Sequence, residues 1–332
     1  MSMRDLTDDI ALMRPVIAAL QASGTDPANV LARIGLQAGE LPPKRFPHAL
    51  QALFWQAVID ETGEEHAGLF LVKHLPVYQG LLLEYLFFSS ETFGAGLRHA
   101  LRYIRLLSDT LNARLDVEGD RAVLTLAAAS DLSRHFAEVL AGAVIRLFNA
   151  LTEDEFVLYE VHFTHQRGAS AEQYRAVYGC PTYLGSERYA LVFDSSILNR
   201  SSALAQPELL QMHDLLAQRK LIEIERIDLV NNVRELIAEL VIDNRATLEQ
   251  VSLRLGMTSR RLRERLTTSG VRFNDLVSDY RCRLAKDLLL NTDERIEVIV
   301  ELTGFSEPST FYRAFKRWVG LTPVEFRNRG RS

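Results

Sequence analysis

The chain has 332 residues, of which 47% are hydrophobic and 24% are charged, with 38 Lys and Arg against 43 Asp and Glu. This length and composition predict a globular protein of two domains and exclude a disordered chain. The sequence has no apolar stretch of 18 residues, and its start, MSMRDLTDDI, carries acids where a secretory signal carries cations. We therefore expect no contact with a membrane and a cytoplasmic location.

The charge is divided unevenly along the chain. Residues 226–332 contain 19 Lys and Arg and 15 Asp and Glu, a net charge of +4, whereas the first 225 residues contain 19 and 28, a net charge of −9. This asymmetry predicts an acidic domain over 1–225 and a basic domain over 226–332 that binds a polyanion. The alternative is an ordinary solvated charged surface.

The first domain mixes helical and strand patterns. Apolar residues recur at spacings of three and four over 48–63, 94–111 and 134–151, which predicts helices. Alternating patterns predict strands over 121–128, 155–165 and 188–194; in the second of these, alternation predicts one buried face with the following residues: Val157, Tyr159, Val161 and Phe163. We expect an α+β domain that ends in a connector helix over 206–227, which begins at Pro207.

The second domain is predicted to be all-α. After an amphipathic segment at 233–242, Thr247 can cap a helix in a capping box with Gln250, Gly256 can turn the chain, and Thr258 can cap a second helix. This pattern predicts a helix-turn-helix unit at about 248–267.

The same pattern returns at about 296–318. Gly304 occupies the turn, Ser306 is the expected cap, and Pro308 lies in the first turn of the second helix. Between the two units, 273–290 reads as one helix of about 27 Å. The chain closes with a predicted capping box between Thr322 and Glu325.

The spacing of the two units indicates DNA binding. The second helix of a helix-turn-helix enters the major groove, and grooves on one face of the duplex repeat about every 34 Å, which a joining helix of about 27 Å approximates. The outward faces carry side chains suited to bases or phosphates. The predicted phosphate contacts are Arg261, Lys316 and Arg317. The alternative is a pair of ordinary helical hairpins with solvated cationic faces.

These segments resemble the AraC/XylS family of bacterial transcription regulators. The motifs are LEQVSLRLGMTSRRLRERL and IEVIVELTGFSEPSTFYRAFKRWVGLTPVEFR, within a likeness that covers about 230–329. Val300 and Thr303 depart from the family pattern, which usually has a small and an apolar residue there. By position, the resemblance implies the following contacts to bases: Arg260, Arg263, Glu264, Pro308, Ser309, Thr310 and Arg313.

The N-terminal region resembles the sensor domain of the subgroup that includes ornithine-utilisation regulators. HLPVYQGLLLEYLFFSSETFGAGLRHALRYIRLL and YRAVYGCPTYLGSERYALVFD carry that likeness. It does not resemble the sugar-binding β-barrel of the arabinose regulator, so arabinose is not expected as the ligand. The resemblance implies a transcription regulator, an activator or a repressor, that binds double-stranded DNA, with a small-molecule effector, a homodimer and RNA polymerase as expected partners.

No catalytic, cofactor-binding or metal-binding motif accompanies these features. His162 and His165 are interpreted as surface and packing histidines, since residues three apart in a strand face opposite sides. Several aromatic residues are more often core than the lining of an effector cavity: Phe54, Trp55, Tyr78, Tyr85 and Phe88. Two other functions stay open: a constitutive dimeric DNA-binding regulator without a ligand, and a metabolite-processing enzyme domain fused to a DNA-binding tail.

Overall fold

The computed structural model describes residues 6–36, 45–128 and 132–330. The first five residues of the acidic start lie outside these ranges. The contacts divide the chain into two compact units, Met1–Leu221 and Ile222–Ser332. Within the described ranges, none of the helices combines the length and the apolar character needed to cross a membrane.

The first unit begins with helices around a short two-stranded sheet. Strand β1 (Thr7–Asp9) pairs antiparallel with β2 (Arg45–Pro47). The helices of this part are α1 (Arg14–Ala22), α2 (Pro27–Arg33), α3 (Leu50–Thr62), α4 (Ala67–Val72), α5 (Leu82–Phe88) and α6 (Phe93–Arg102). The apolar faces of α1 to α4 form a core in which Phe54 and Trp55 are almost fully buried, whereas α5 and α6 contribute Phe87, Phe93 and Leu97 to a second cluster.

A five-stranded sheet and one long helix form the centre of this unit. The elements are β3 (Leu111–Glu118), β4 (Arg121–Ala128), α7 (Arg134–Leu151), β5 (Leu158–His162), α8 (Ala171–Tyr178), β6 (Thr182–Tyr183) and β7 (Tyr189–Asp194). The strand order is β3-β4-β7-β5-β6, and only β5 and β6 run parallel. Within the described residues, β3 and β6 are the edges of an open sheet. The predicted α+β class is therefore confirmed.

Two predicted elements have different bounds in the structure. The helix predicted over 94–111 ends at Arg102, and Leu111 already begins β3, which the sequence pattern did not reveal. The strand predicted over 155–165 is shorter, and its pairing with β7 shifts register between Leu158 and Glu160. Because a bulge of this kind changes which face a residue occupies, Val157 is exposed, although alternation had placed it with the buried Val161.

The second unit is all-α, as predicted. Helix α9 (Pro207–Leu240) runs without interruption through both the expected connector and most of the amphipathic segment that follows. The remaining helices are α10 (Leu248–Arg254), α11 (Ser259–Thr268), α12 (Phe273–Asn291), α13 (Ile296–Leu302), α14 (Pro308–Val319) and α15 (Pro323–Gly330). Two helix-turn-helix units, α10–α11 and α13–α14, are joined by α12, whose 19 residues span about 28 Å.

A fully buried carboxyl group lies on α7 in the first unit. Glu138 accepts a hydrogen bond from the Tyr174 hydroxyl at 2.6 Å, while its other carboxyl oxygen lies 3.8 Å from His135 Nδ1. Burial raises the pKa of Glu138 and lowers the pKa of His135 to about 4. Burial likewise raises the pKa of Tyr174. All three groups are therefore held toward their neutral forms in the folded protein.

We expect Glu138→Gln to change the pH dependence of stability. The pKa of Glu138 is higher in the folded than in the unfolded chain, so wild type loses stability as the pH rises above about 4.5, the ordinary Glu value, because the unfolded chain ionises first. The variant, which lacks this ionisation, should be more stable than wild type at pH 8, with the difference shrinking toward pH 4. Chemical denaturation across this range measures the effect. Glu187→Gln, at an exposed position, is the matched control. Parallel curves for wild type and Glu138→Gln would contradict the expectation.

Candidate DNA interface

The first helix-turn-helix unit is held together by its caps and its apolar inner face. Thr247 Oγ1 accepts from the Gln250 amide and Thr258 Oγ1 from the Arg261 amide, both at 3.2 Å, which confirms both helix starts. The Thr247 amide donates to the Arg245 carbonyl at 2.7 Å instead of to the Gln250 side chain, so the predicted capping box is only half formed. Gly256 turns the chain with φ of +66°. The inner faces of these helices pack into one core with the end of α9 and the start of α12 through the following residues: Val251, Leu262, Leu266, Ile237, Phe273 and Leu276.

The outer face of α11 is exposed and mostly cationic. Arg260, Arg261, Arg263 and Glu264 are all exposed. Arg260 Nε donates to Glu264 Oε1 at 2.9 Å, one helical turn away, with the two side chains 88% and 62% exposed. An exposed pair of this kind adds little stability. The ion pair instead orients the Arg260 and Glu264 side chains relative to each other, and both are predicted to contact bases.

The second helix-turn-helix unit starts its outer helix differently from the prediction. Helix α14 begins at Pro308 with Glu307 as its N-cap residue, and no side chain caps it, so the predicted Ser306 cap is wrong. Proline at the first position has no amide to satisfy there, which reduces the need for a cap. The capping box between Thr322 and Glu325 is present, with the Thr322 amide donating to Glu325 Oε2 at 2.8 Å and the Glu325 amide to Thr322 Oγ1 at 3.3 Å.

The inner face of α14 is buried and aromatic. Phe311 and Phe315 are fully buried and pack with Ile299 of α13 and Leu289 of α12. Thr303, which departs from the family pattern, is also fully buried, and its hydroxyl donates to the carbonyl of Ile299 at 2.6 Å. The buried Thr303 hydroxyl therefore has a hydrogen-bond partner, although threonine departs from the family pattern at this position.

The outer face of α14 carries every residue predicted for the second groove. All six are exposed: Pro308, Ser309, Thr310, Arg313, Lys316 and Arg317. Arg313 Nη2 lies 3.4 Å from Thr310 Oγ1, a long hydrogen bond. A groove of about 350 Å³ borders this face, and another of about 840 Å³ borders Arg263 of α11. Ser278 and Arg281 of α12 line both grooves, so α12 lies between the two outer helices.

Arg281 is a structural cation that the sequence analysis missed. Its Nη2 atom donates to the Gly304 carbonyl at 2.8 Å and to Asn244 Oδ1 at 3.2 Å, and its guanidinium lies 4.7 Å from the centre of the Phe305 ring. Burial lowers its pKa, yet a guanidinium stays charged at neutral pH. Arg281 therefore links the turn of the second helix-turn-helix unit, at Gly304, to Asn244 in the segment that follows α9. In the sequence, only the position of Arg281 on the inner side of α12 could have indicated this structural role.

The aromatic residues considered for an effector cavity form two separate contacts: Phe54 packs on Trp55, and Phe88 packs on both Tyr78 and Tyr85. Phe54 and Trp55 are core residues, whereas Tyr78 and Tyr85 are 55% and 44% exposed. His162 Nε2 lies 2.9 Å from Glu160 Oε2, and the His165 ring stacks on Phe163 at 4.9 Å. In the part of the chain that the structure describes, we find no cluster of three metal-ligating residues.

Comparison with known proteins gives the family. Residues 24–202, more than half of the chain, match the family described as the arabinose-binding domain of AraC transcription regulators, and residues 251–329 match a helix-turn-helix domain. The chain belongs to the AraC family of transcription regulators. It is a DNA-binding transcription regulator and not an enzyme, as the resemblance implied. The match to an arabinose-binding domain runs against the expected difference from the sugar-binding type, although among the described residues of this AraC-family protein β3 and β6 are the edges of an open sheet.

Individual relatives agree with this membership. The AraC-family chain is 29% identical over 269 residues to the ornithine utilization regulator of Pseudomonas aeruginosa, covering 80% of this chain and 79% of the relative. It is also 29% identical over 203 residues to the regulator VqsM of the same organism, covering 60% and 62%. The crystal structure of the regulator CdpR from Pseudomonas aeruginosa matches with 21% identity, a TM-score of 0.45, and coverage of 90% and 96%.

The two turn glycines should respond differently to alanine. Gly256 and Gly304 both have positive φ, +66° and +73°, but a methyl group on Gly256 meets nothing within 4 Å, whereas one on Gly304 would overlap the Val241 carbonyl. We expect Gly256→Ala to cost about 1–2 kcal/mol of unfolding free energy, from the left-handed backbone alone. Gly304→Ala should cost about 1–3 kcal/mol more, from the overlap. Denaturant unfolding of the two variants measures this difference, and equal losses would contradict the close approach.

Proposed function

We propose that this AraC-family regulator reads two successive major grooves of double-stranded DNA with α11 and α14. The observation that carries the proposal is the division of each helix into a buried apolar face and an exposed face that holds the predicted contacts. In this proposal, Arg260, Arg263 and Glu264 contact bases from α11. Pro308, Ser309, Thr310 and Arg313 do so from α14, with Pro308 limited to apolar contact.

The remaining cations are proposed to hold the phosphate backbone. Arg261 lies on α11, and Lys316 and Arg317 lie one turn beyond Arg313 on α14, toward the end of the helix. Contacts to phosphate fix orientation and register but carry no sequence information. Residues of both kinds thus occur on each outer face.

The Arg260–Glu264 pair is proposed to act as one reading element. The pair holds Glu264 beside a guanidinium, and Glu can accept from the cytosine amino group while Arg donates to guanine. The attraction between the Arg260 guanidinium and the Glu264 carboxylate, whose Nε and Oε1 atoms lie 2.9 Å apart, would strengthen where the groove excludes water.

The first domain is proposed to sense a small-molecule effector and to form a homodimer. Support for a dimer comes from exposed large apolar residues on the part of α9 that belongs to the first unit, since such residues seldom cluster on a monomer surface: Leu209, Met212, Leu215 and Leu216. An effector controls DNA binding only if it binds one arrangement of the protein better than another.

Arg313 and Arg317 offer a matched test of base reading. Both are exposed arginines on α14, one helical turn apart. On a DNA site selected by the full-length protein from a random pool, Arg313→Ala should cost about 1–3 kcal/mol of binding free energy and relax preference at one base pair. Arg317→Ala should weaken cognate and random DNA alike and reduce the slope of log affinity against log salt by about one. Binding titrations at several salt concentrations measure both. If Arg313→Ala loses equally on cognate and random DNA, Arg313 is a backbone contact and the proposed reading is wrong.

A further inference from the structure

An apolar cavity lies in the first unit between the sheet and α7. Its volume is about 100 Å³. Its floor consists of cross-strand neighbours, because Ala113 pairs with Leu126, which pairs with Tyr189, and Leu124 pairs with Leu191 in the next row. Helix α7 covers this floor with Ala137, Leu140, Ala141 and Val144, while α6 adds Leu101 and the segment after it adds Ile104.

Small side chains at facing positions explain why the space stays open. Ala113 lies on β3, Ala190 lies on β7, and Ala137 and Ala141 lie one turn apart on α7, so four side chains that end at Cβ surround one volume. Larger neighbours such as Leu124 and Leu126 are only partly buried. Protein interiors normally fill such space, since voids forfeit dispersion contacts. A void of this size beside otherwise well-packed aromatic clusters therefore needs an explanation.

The lining excludes a charged or polyhydroxylated ligand. Apart from Tyr189 and His162, every lining side chain is hydrocarbon. Both ring nitrogens of His162 already have partners, at 2.9 Å to Glu160 and 3.2 Å to Ser186. A sugar or an amino acid would bury hydroxyl, ammonium or carboxylate groups without hydrogen bonds, which is strongly unfavourable.

We propose that this cavity is the effector site and that its ligand is a compact, uncharged hydrocarbon group the size of one aromatic ring. This inference rests on the proposed effector control of the regulator. The volume is of the same order as an apolar cavity of about 150 Å³ that stays dry and binds benzene or xenon. Because α7 forms the roof, an occupant adds contacts between α7 and the sheet and favours the arrangement in which they are made.

Benzene is the probe for this proposal, with ornithine and arabinose as polar comparisons. We expect benzene to raise the melting temperature of the full-length protein by a few degrees, as a ligand that binds only the folded state must. Ala141→Leu, which fills the cavity, should abolish this shift. Ala150→Leu, at an exposed position of α7 outside the lining, is the matched control and should keep it. Ala113→Leu fills the same space from β3 and replaces Ala141→Leu should that variant not fold.

Each outcome decides one part of the proposal. No benzene shift in wild type, or an equal shift in Ala141→Leu and wild type, overturns the site. A shift with ornithine or arabinose that Ala141→Leu abolishes overturns the ligand class. Affinity for the selected DNA is measured in parallel with and without benzene: a change that Ala141→Leu removes supports effector control. If benzene binds but the DNA affinity does not change, control by this cavity is overturned. Sequence-specific DNA binding by the ligand-free protein is a separate result, and it tests the DNA-reading proposal.

Discussion

Burial of one face of α11 and one face of α14 is the constraint on which the DNA-binding unit depends. Leu262 and Leu266 of α11 and Phe311 and Phe315 of α14 have almost no exposed surface. Because a helix repeats every 3.6 residues, fixing these positions inward leaves the intervening ones outward. The arginines at 260, 263 and 313 are among these outward positions. The apolar core thus determines which side chains a duplex can meet.

The two helix-turn-helix units repeat one design but are attached differently. In the turn of the first helix-turn-helix unit, a methyl group on Gly256 would meet nothing within 4 Å, whereas in the second helix-turn-helix unit Gly304 lies against the Val241 carbonyl and the Arg281 guanidinium. Asn244, in a left-handed conformation just after α9, accepts from the same guanidinium. The segment that follows α9 therefore packs against the second helix-turn-helix unit. A change at that point would be felt by the turn that positions α14.

The sequence predicted those parts of the fold that depend on residues only a few positions apart in the chain. The caps at Thr247 and Thr258, the turn glycines and the bounds of α7 follow from residue spacing and side-chain hydrogen bonds within a few positions. The helix predicted through 94–111 ends at Arg102 because the chain beyond it turns at Ile104–Leu106 and bonds to distant β1 through the Leu107 carbonyl and the Asp109 amide. The bulge in β5, the buried cation at Arg281 and the cavity beside α7 depend on which distant residues meet. The exposed positions of the interface were predictable because they need only helical periodicity, whereas the Arg260–Glu264 pair depends on the rotamers chosen.

The central claim, two groove readers on one face of the duplex, is tested most directly by guanine N7 methylation interference on DNA selected by the full-length protein. The account predicts two blocks of interfering guanines centred about 10 base pairs apart, because α11 and α14 would enter successive major grooves. Loss of the α14 contact through Arg313→Ala should then weaken one block only. A single block, or two blocks offset by half a helical turn so that they face opposite sides of the duplex, would contradict the account.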